Sequence, residues 1–298
     1  MLTHTFTAPF SFERTARYIG RYENAQTHAV SDKQFCQVLA DSDGYYLVEV
    51  TPREMNGVNA QIVVGKSSSA RAAQLQHYML RTFGSDDELS RFYEFSESDR
   101  YLKKWTRDYR GLRLVGIYSL WECLSWSIIG QQVSVASAFS VRSRLALYCG
   151  AVVQWQGKVY EGFPTPEAVL CMTPEELRNC GLSRQKGEYL QGLAQELILE
   201  YLSESLLTDS DPQQIRARLI RLRGIGPWSV EYAMMRVHGD PDACPYEDIG
   251  LRNALAREYG LGRQASMEQT RTITESWRPY RGYATFYIWF TLLNSPQS

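Results

Sequence analysis

Cysteine is scarce in this chain, and its placement excludes most cysteine chemistry. The six cysteines (36, 123, 149, 171, 180 and 244) include no CxxC pair and no metal-type spacing. Cys123, Cys149 and Cys171 stand among apolar residues and read as small core residues. No cysteine cluster able to hold an iron–sulfur centre follows residue 248. Histidine is equally sparse: His4, His28, His77 and His238 are scattered, and no HExxH occurs. These absences argue against a metal-dependent hydrolase. The N-terminus lacks the basic-then-apolar pattern of a signal peptide. The longest apolar stretch, Tyr283 to Leu293, is too short to span a bilayer. The expectation is a cytoplasmic or nucleoid-associated protein with no membrane role. A charge excess is missing too, since the net charge is −1. That argues mildly against DNA binding, because most such domains are basic. No low-complexity segment and no fixed-period repeat is present.

What is present is a large apolar fraction and strong local punctuation. The 298 residues, 44% apolar, can bury large cores and suit two or three domains. The first ninety residues are mixed. Leu2 to Ala8, Gly44 to Thr51 and Ala60 to Gly65 are β-rich, and Ser67-Ser-Ser69 caps a helical pattern to about Phe83. Beyond the acidic region Gly84 to Asp99 the chain reads as helices with short breaks. Trp121 to Leu147 is long and apolar, interrupted by Gly130-Gln-Gln132. Thr173-Pro-Glu-Glu176 is a capping-box start. Asp248 to Tyr259 and Gly282 to Leu293 are further helices. The expected class is mainly α: a small N-terminal α+β domain (1–90) and a helical core (91–298).

The most informative segment begins at Leu222-Arg-Gly-Ile-Gly-Pro-Trp228 and closes on Pro245-Tyr-Glu-Asp248. Gly224 and Gly226 allow a sharp turn and close approach to another molecule. Pro227 suits a helix first turn, and Asp211-Pro-Gln-Gln214 starts an upstream helix. Helix, Gly-x-Gly hairpin and helix, spanning about residues 212–238, form a phosphate clasp whose second helix offers free N–H groups to an anion. The basic run Arg216, Arg218, Arg221 and Arg223 leads into it. A similar run at Lys103, Lys104, Arg107, Arg110 and Arg113 reads as a solvated helix face.

With Asp248 at its place, the hairpin-to-carboxylate segment resembles the helix-hairpin-helix DNA glycosylases. Three further segments narrow the resemblance to the 3-methyladenine DNA glycosylase II (AlkA-type) branch. Ser125-Trp-Ser-Ile-Ile-Gly-Gln-Gln-Val-Ser-Val135 looks like its strand-penetrating loop. Trp277-Arg-Pro-Tyr-Arg-Gly-Tyr-Ala284, leading to Ile288-Trp-Phe290, looks like its C-terminal signature. Pro9-Phe-Ser-Phe12 resembles its N-terminal opening. The resemblance covers most of the chain and is strongest from about 112 to 293.

The resemblance implies two helical subdomains with a cleft between them, and a monomer that excises alkylated bases from double-stranded DNA by base flipping. It assigns Asp248, rather than its neighbour Glu247, as the catalytic acid. An Asp before a helix is also an ordinary N-cap, and the two roles are compatible. It places Trp228, Tyr232, Trp289, Phe290 and Tyr18 around the flipped base, although aromatics at helical spacing are also core formers. Ring faces attract a cationic alkylated purine. Leu222, Gly224, Ile225 and Gly226 form the DNA-binding hairpin, whose carbonyls the resemblance gives a monovalent cation shared with a phosphate. No other cofactor and no catalytic metal is expected. Gln131 and Gln132 form the wedge loop. Gln132 departs from the apolar residue of that position and reads equally as a surface residue. Ile249 replaces an expected aromatic. Trp228 stands where lyase-competent relatives carry a Lys, so a Schiff base is not available there and water is the nucleophile. The alternatives are an oxidised-guanine glycosylase and a non-catalytic binder of damaged DNA.

Overall fold

A computed structural model of the chain describes residues 1–20, 33–84, 86–202 and 210–293. Four strands near the N-terminus form one antiparallel sheet: β1 (Leu2–Thr5), β2 (Phe35–Asp41), β3 (Gly44–Arg53) and β4 (Gly57–Val64), in the order β1-β4-β3-β2. The sequence pattern predicts β1, β3 and β4. It does not predict β2, whose Phe35, Cys36, Val38 and Leu39 are all buried, so polar alternation is lost. One sheet face packs on α1 (Phe12–Ile19) and α2 (Ser69–Phe83), through Phe12, Phe35, Tyr46, Val48 and Phe83.

The other sheet face carries Cys36, Val38 and Leu47 and meets a second hairpin, β5 (Val152–Trp155) and β6 (Lys158–Glu161), through Val153 and Tyr160. This hairpin corrects the expectation of helices alone after residue 90. Gln156 and Gly157 both hold positive φ (49° and 73°), as a two-residue type I′ turn requires. Its signal, Val-Val-Gln-Trp before Gln-Gly and Lys-Val-Tyr after, is short and was masked by the surrounding helical pattern.

The remaining described elements are helices: α3 (Asp86–Ser96), α4 (Arg100–Asp108), α5 (Leu120–Ile129), α6 (Val135–Tyr148), α7 (Pro166–Leu170), α8 (Pro174–Asn179), α9 (Arg184–Ile198), α10 (Pro212–Leu219), α11 (Pro227–Ala233), α12 (Ile249–Glu258), α13 (Met267–Glu275) and α14 (Arg281–Leu293). A π-helical turn, Met234–His238, extends α11. The predicted caps form: Ser68 accepts from Arg71 N–H, Asp211 from Gln213 N–H, and Thr173 and Glu176 complete a capping box. Each such cap contributes about 1 kcal/mol.

One large core unites α3 to α14, and Tyr18 of α1 enters it while Phe12 and Ala16 stay in the sheet core. The two cores change over between Phe83 and Leu89. Arg113 ties that junction and is 1% exposed, so it is no part of a solvated basic face. It donates to the carbonyls of Phe83 and Gly84 and pairs with Asp86 at 2.7 Å. Only the arginine of this pair is buried, since the Asp86 side chain is 29% exposed. Cys123 is buried as expected, but Cys171 is exposed.

Candidate active site

A cleft of about 770 Å³ opens where α1, the α5–α6 loop and the starts of α11 and α12 meet the end of α14. Asp248 lies at its floor as the N-cap of α12. Its Oδ1 accepts from the Leu251 N–H (2.6 Å) and the Trp289 indole (2.9 Å). Its Oδ2 accepts from the Trp228 indole at 3.0 Å. Burial pushes the Asp248 carboxyl above the usual carboxylate range, and these N–H donors oppose that rise. The acid is thus both the cap of α12 and a half-buried carboxyl that accepts three N–H groups. Glu247, its neighbour, also lines the cleft but is exposed.

Gly250 guards the carboxylate. A Cβ there would lie 3.0 Å from Asp248 Oδ1 and 3.7 Å from Trp289 Nε1. A side chain would crowd the oxygen that two donors hold. Sequence reasoning missed this residue, because a lone glycine at a helix start carries no distinctive signal.

Four of the five expected aromatics, Tyr18, Trp228, Tyr232 and Trp289, line this cleft. Trp228 stacks on Tyr232 with centroids 4.9 Å apart and planes 11° from parallel. Tyr232 and Trp289 lie 6.3 Å apart at a 49° tilt. Tyr18 and Tyr232 line the cleft yet are only 3% and 5% exposed, so they offer it little surface. The structure corrects the placement of Phe290, which is 1% exposed and packs edge-on against Tyr109. Successive helical residues point about 100° apart. Trp289, Leu292 and Leu293 share the cleft face at i, i+3, i+4, and Phe290 falls on the core side. Ile249, in the place of the expected aromatic, is 64% exposed and lines the cleft.

Behind these walls lies Arg236, on the π-helical turn and 4% exposed. Its Nη1 donates to the Tyr18 and Tyr232 hydroxyls (3.0 and 3.2 Å), and Nε to the Val115 carbonyl (2.6 Å). One guanidinium therefore fixes two cleft aromatics from the rear.

The hairpin takes its expected shape. Gly224 has φ +89°, and a Cβ there would stand 2.4 Å from the Tyr189 ring, so backbone and packing both demand glycine. Ile225 is buried, and Leu222 packs against the core. Gly226 caps α11 without any side-chain cap hydrogen bond. Within the basic run, Arg216 is not a free DNA contact. It grips Glu231 at 2.6 and 3.0 Å and Asp240 at 2.7 Å, bracing α10 against α11. Arg218, Arg221 and Arg223 stay exposed. In the wedge loop, Gln131 donates to the Gly224 carbonyl at 2.7 Å, and Gln132 is exposed at φ +56°.

Among the described residues no group of three or more His, Cys, Asp or Glu side chains could hold a metal ion. His28 lies outside them. No helix among them is long and apolar enough to cross a membrane.

Residues 125–279 match the family described as HhH-GPD superfamily base excision DNA repair protein. The chain is 30% identical over 294 residues to a DNA-3-methyladenine glycosylase of Bacillus subtilis, covering 96% of both chains. It is 30% identical over 181 residues to DNA-3-methyladenine glycosylase 2 of Escherichia coli, covering 61% of each. A solved 3-methyladenine DNA glycosylase from Archaeoglobus fulgidus shares the fold over the full length of both chains, with a TM-score of 0.84 at 23% identity. With the hairpin, the capped carboxylate and the aromatic cleft on one surface, the chain belongs to the HhH-GPD superfamily of base excision DNA repair proteins.

Proposed function

We propose that this protein is a monofunctional glycosylase that hydrolyses the N-glycosidic bond of alkylated bases, of the 3-methyladenine and 7-methylguanine type, in duplex DNA. The observation that carries the reading is Asp248, a half-buried carboxyl held by three N–H donors in an aromatic cleft. Breaking the N-glycosidic bond builds positive charge on the sugar. A fixed anion beneath it stabilises that charge where little water screens it. A cationic base is already a good leaving group, which lowers the need for a general acid. The indole faces of Trp228 and Trp289 suit such a base by cation–π contact.

The hairpin, Leu222 to Gly226, grips a backbone phosphate through the amides opening α11. The Leu222 carbonyl accepts the Ile225 N–H and keeps a second lone pair, so an oxygen-lined monovalent cation fits beside it. Such a cation would neutralise phosphate charge and takes no part in bond cleavage. Trp228 occupies the place of a lyase amine, so water attacks the sugar. The protein acts as a cytoplasmic monomer, and its partner is DNA.

The test is incubation with methylated duplex DNA and chromatography of the released bases. Release of 3-methyladenine or 7-methylguanine supports the reading, and release of neither refutes it. Borohydride trapping separates the remaining possibility: a covalent protein–DNA adduct would mark a lyase acting on oxidised guanine.

A further inference from the structure

The tip of the α5–α6 loop is both strained and exposed. Gln132 holds φ +56°, a left-handed conformation unfavourable for a side-chain-bearing residue. Such strain persists only where neighbouring structure holds it. Two side chains do so here. The Lys186 ammonium donates to the carbonyls of Ile129 (2.8 Å) and Gln131 (2.7 Å), at the end of α5 where a cation complements the helix dipole. The Gln131 amide then crosses to the Gly224 carbonyl of the hairpin at 2.7 Å.

The same stretch of α9 also supports the hairpin from below. Gly224 lies directly on Tyr189, where no Cβ would fit. The Arg223 guanidinium sits 5.6 Å from the Tyr189 ring centre and 3.8 Å from a Glu188 oxygen. Leu190, Leu193 and Ala194 anchor α9 in the main core. Residues 186 to 189 thus hold the wedge tip on one side and the hairpin on the other.

We propose that Lys186 is a positioning residue that couples the hairpin's phosphate grip to insertion of Gln132 into the duplex. The Lys186–Gln131–Gly224 bridge fixes the spacing between the two. Flipping a stacked base requires the backbone to be held while the vacated space is filled. A wedge free to shift relative to the grip would not fill that space. A base that is already unpaired needs no such coupling. The inference rests on the function proposed above.

The experiment compares single-turnover release of one methylated base from two substrates: a fully paired duplex and a one-nucleotide bulge. Lys186→Met in the full chain should lower the paired rate about tenfold and the bulge rate by less than about twofold. Lys186→Arg keeps N–H donors and should restore most of the paired rate. Gln131→Leu should lower the paired-to-bulge ratio likewise, and the double variant no further than either single, because both cut one bridge. An unchanged ratio in Lys186→Met that melts like the parent overturns the proposal. Equal loss on both substrates overturns it too, since it marks a merely structural lysine. Should Lys186→Met not fold, the ratio for Gln131→Leu decides alone. A parent protein that releases no methylated base from either substrate overturns the functional reading instead.

Discussion

Two helix starts open on the same cleft and are capped in opposite ways. Asp248 closes the start of α12 with its own side chain and takes two indole N–H donors besides. Gly226 begins α11 with no side-chain cap at all. A helix start is an anion site in either case. On the proposed function, the anion at α12 belongs to the protein and lies below the reacting sugar, while the start of α11 takes a phosphate from DNA. The same motif would then serve chemistry at one helix and grip at the other. Substitutions at the two starts should therefore fail in different ways.

The largest effect is expected at α12. Asp248→Asn should lower single-turnover excision by about 10²- to 10³-fold, in the range seen when one preorganised electrostatic partner is lost. Duplex affinity should hold, because Asn still caps a helix. The parent's stability relative to this variant should also fall as pH rises, on top of a fixed cost for the new amide N–H that meets the Trp228 indole N–H. Burial raises the Asp248 pKa, so its ionised form opposes folding. That penalty is full above the raised folded-state pKa and vanishes as pH falls below the unfolded value. The difference between parent and variant melting temperatures should shift against the parent as pH rises from acid to neutrality, and the opposite trend would contradict the assignment.

A middle-sized effect is expected from the indole donors. Trp289→Phe keeps a ring in the cleft but removes one N–H from Asp248. Excision should fall about tenfold, the scale of one hydrogen bond to a charged group, with duplex affinity little changed. Loss of melting temperature with proportional loss of every activity would instead make Trp289 a packing residue.

At α11 the readout moves from rate to affinity. A Cβ on Gly226 meets nothing within 4 Å, so Gly226→Ala should melt like the parent. Affinity for all duplexes should fall together by severalfold, about 1 kcal/mol, because the added methyl stands where a phosphate approaches. Unchanged affinity in a binding titration would show that this helix start does not hold DNA. The smallest effect is expected at Glu247→Gln, within about tenfold of parental excision.

Both helix starts were legible in the sequence, since Gly-x-Gly-Pro and the Asp248 cap are local patterns. The partners that give Asp248 its role were not. Trp228 and Trp289 reach it from 20 and 41 residues away, and no periodicity predicts an indole aimed at a carboxylate. Phe290 was misplaced because adjacent aromatics were read as one cluster, although α14 turns them to different faces. Arg216 and Arg113 looked like surface charge because their acidic partners, Glu231, Asp240 and Asp86, lie outside their own helical turns. Arg236 carried no signal at all, since only the folded chain brings Tyr18 beside it. The β5–β6 hairpin was readable from its turn pair but lost in a helical context. Tertiary contact, not local pattern, decided the donors to Asp248 and the partners of Arg113, Arg216 and Arg236.

The central claim is that the half-buried Asp248 carboxyl, in its ionised form, carries the chemistry. The pH dependence of single-turnover 7-methylguanine release, followed on the acid side of neutrality where that base keeps its positive charge, tests it most directly. For the parent, the rate should rise with pH through an inflection above the ordinary aspartate value of about 3.9 and then level off. Asp248→Asn should be slow at every pH and show no such inflection. A parent profile without the inflection, or one that Asp248→Asn reproduces at a comparable rate, would contradict the account.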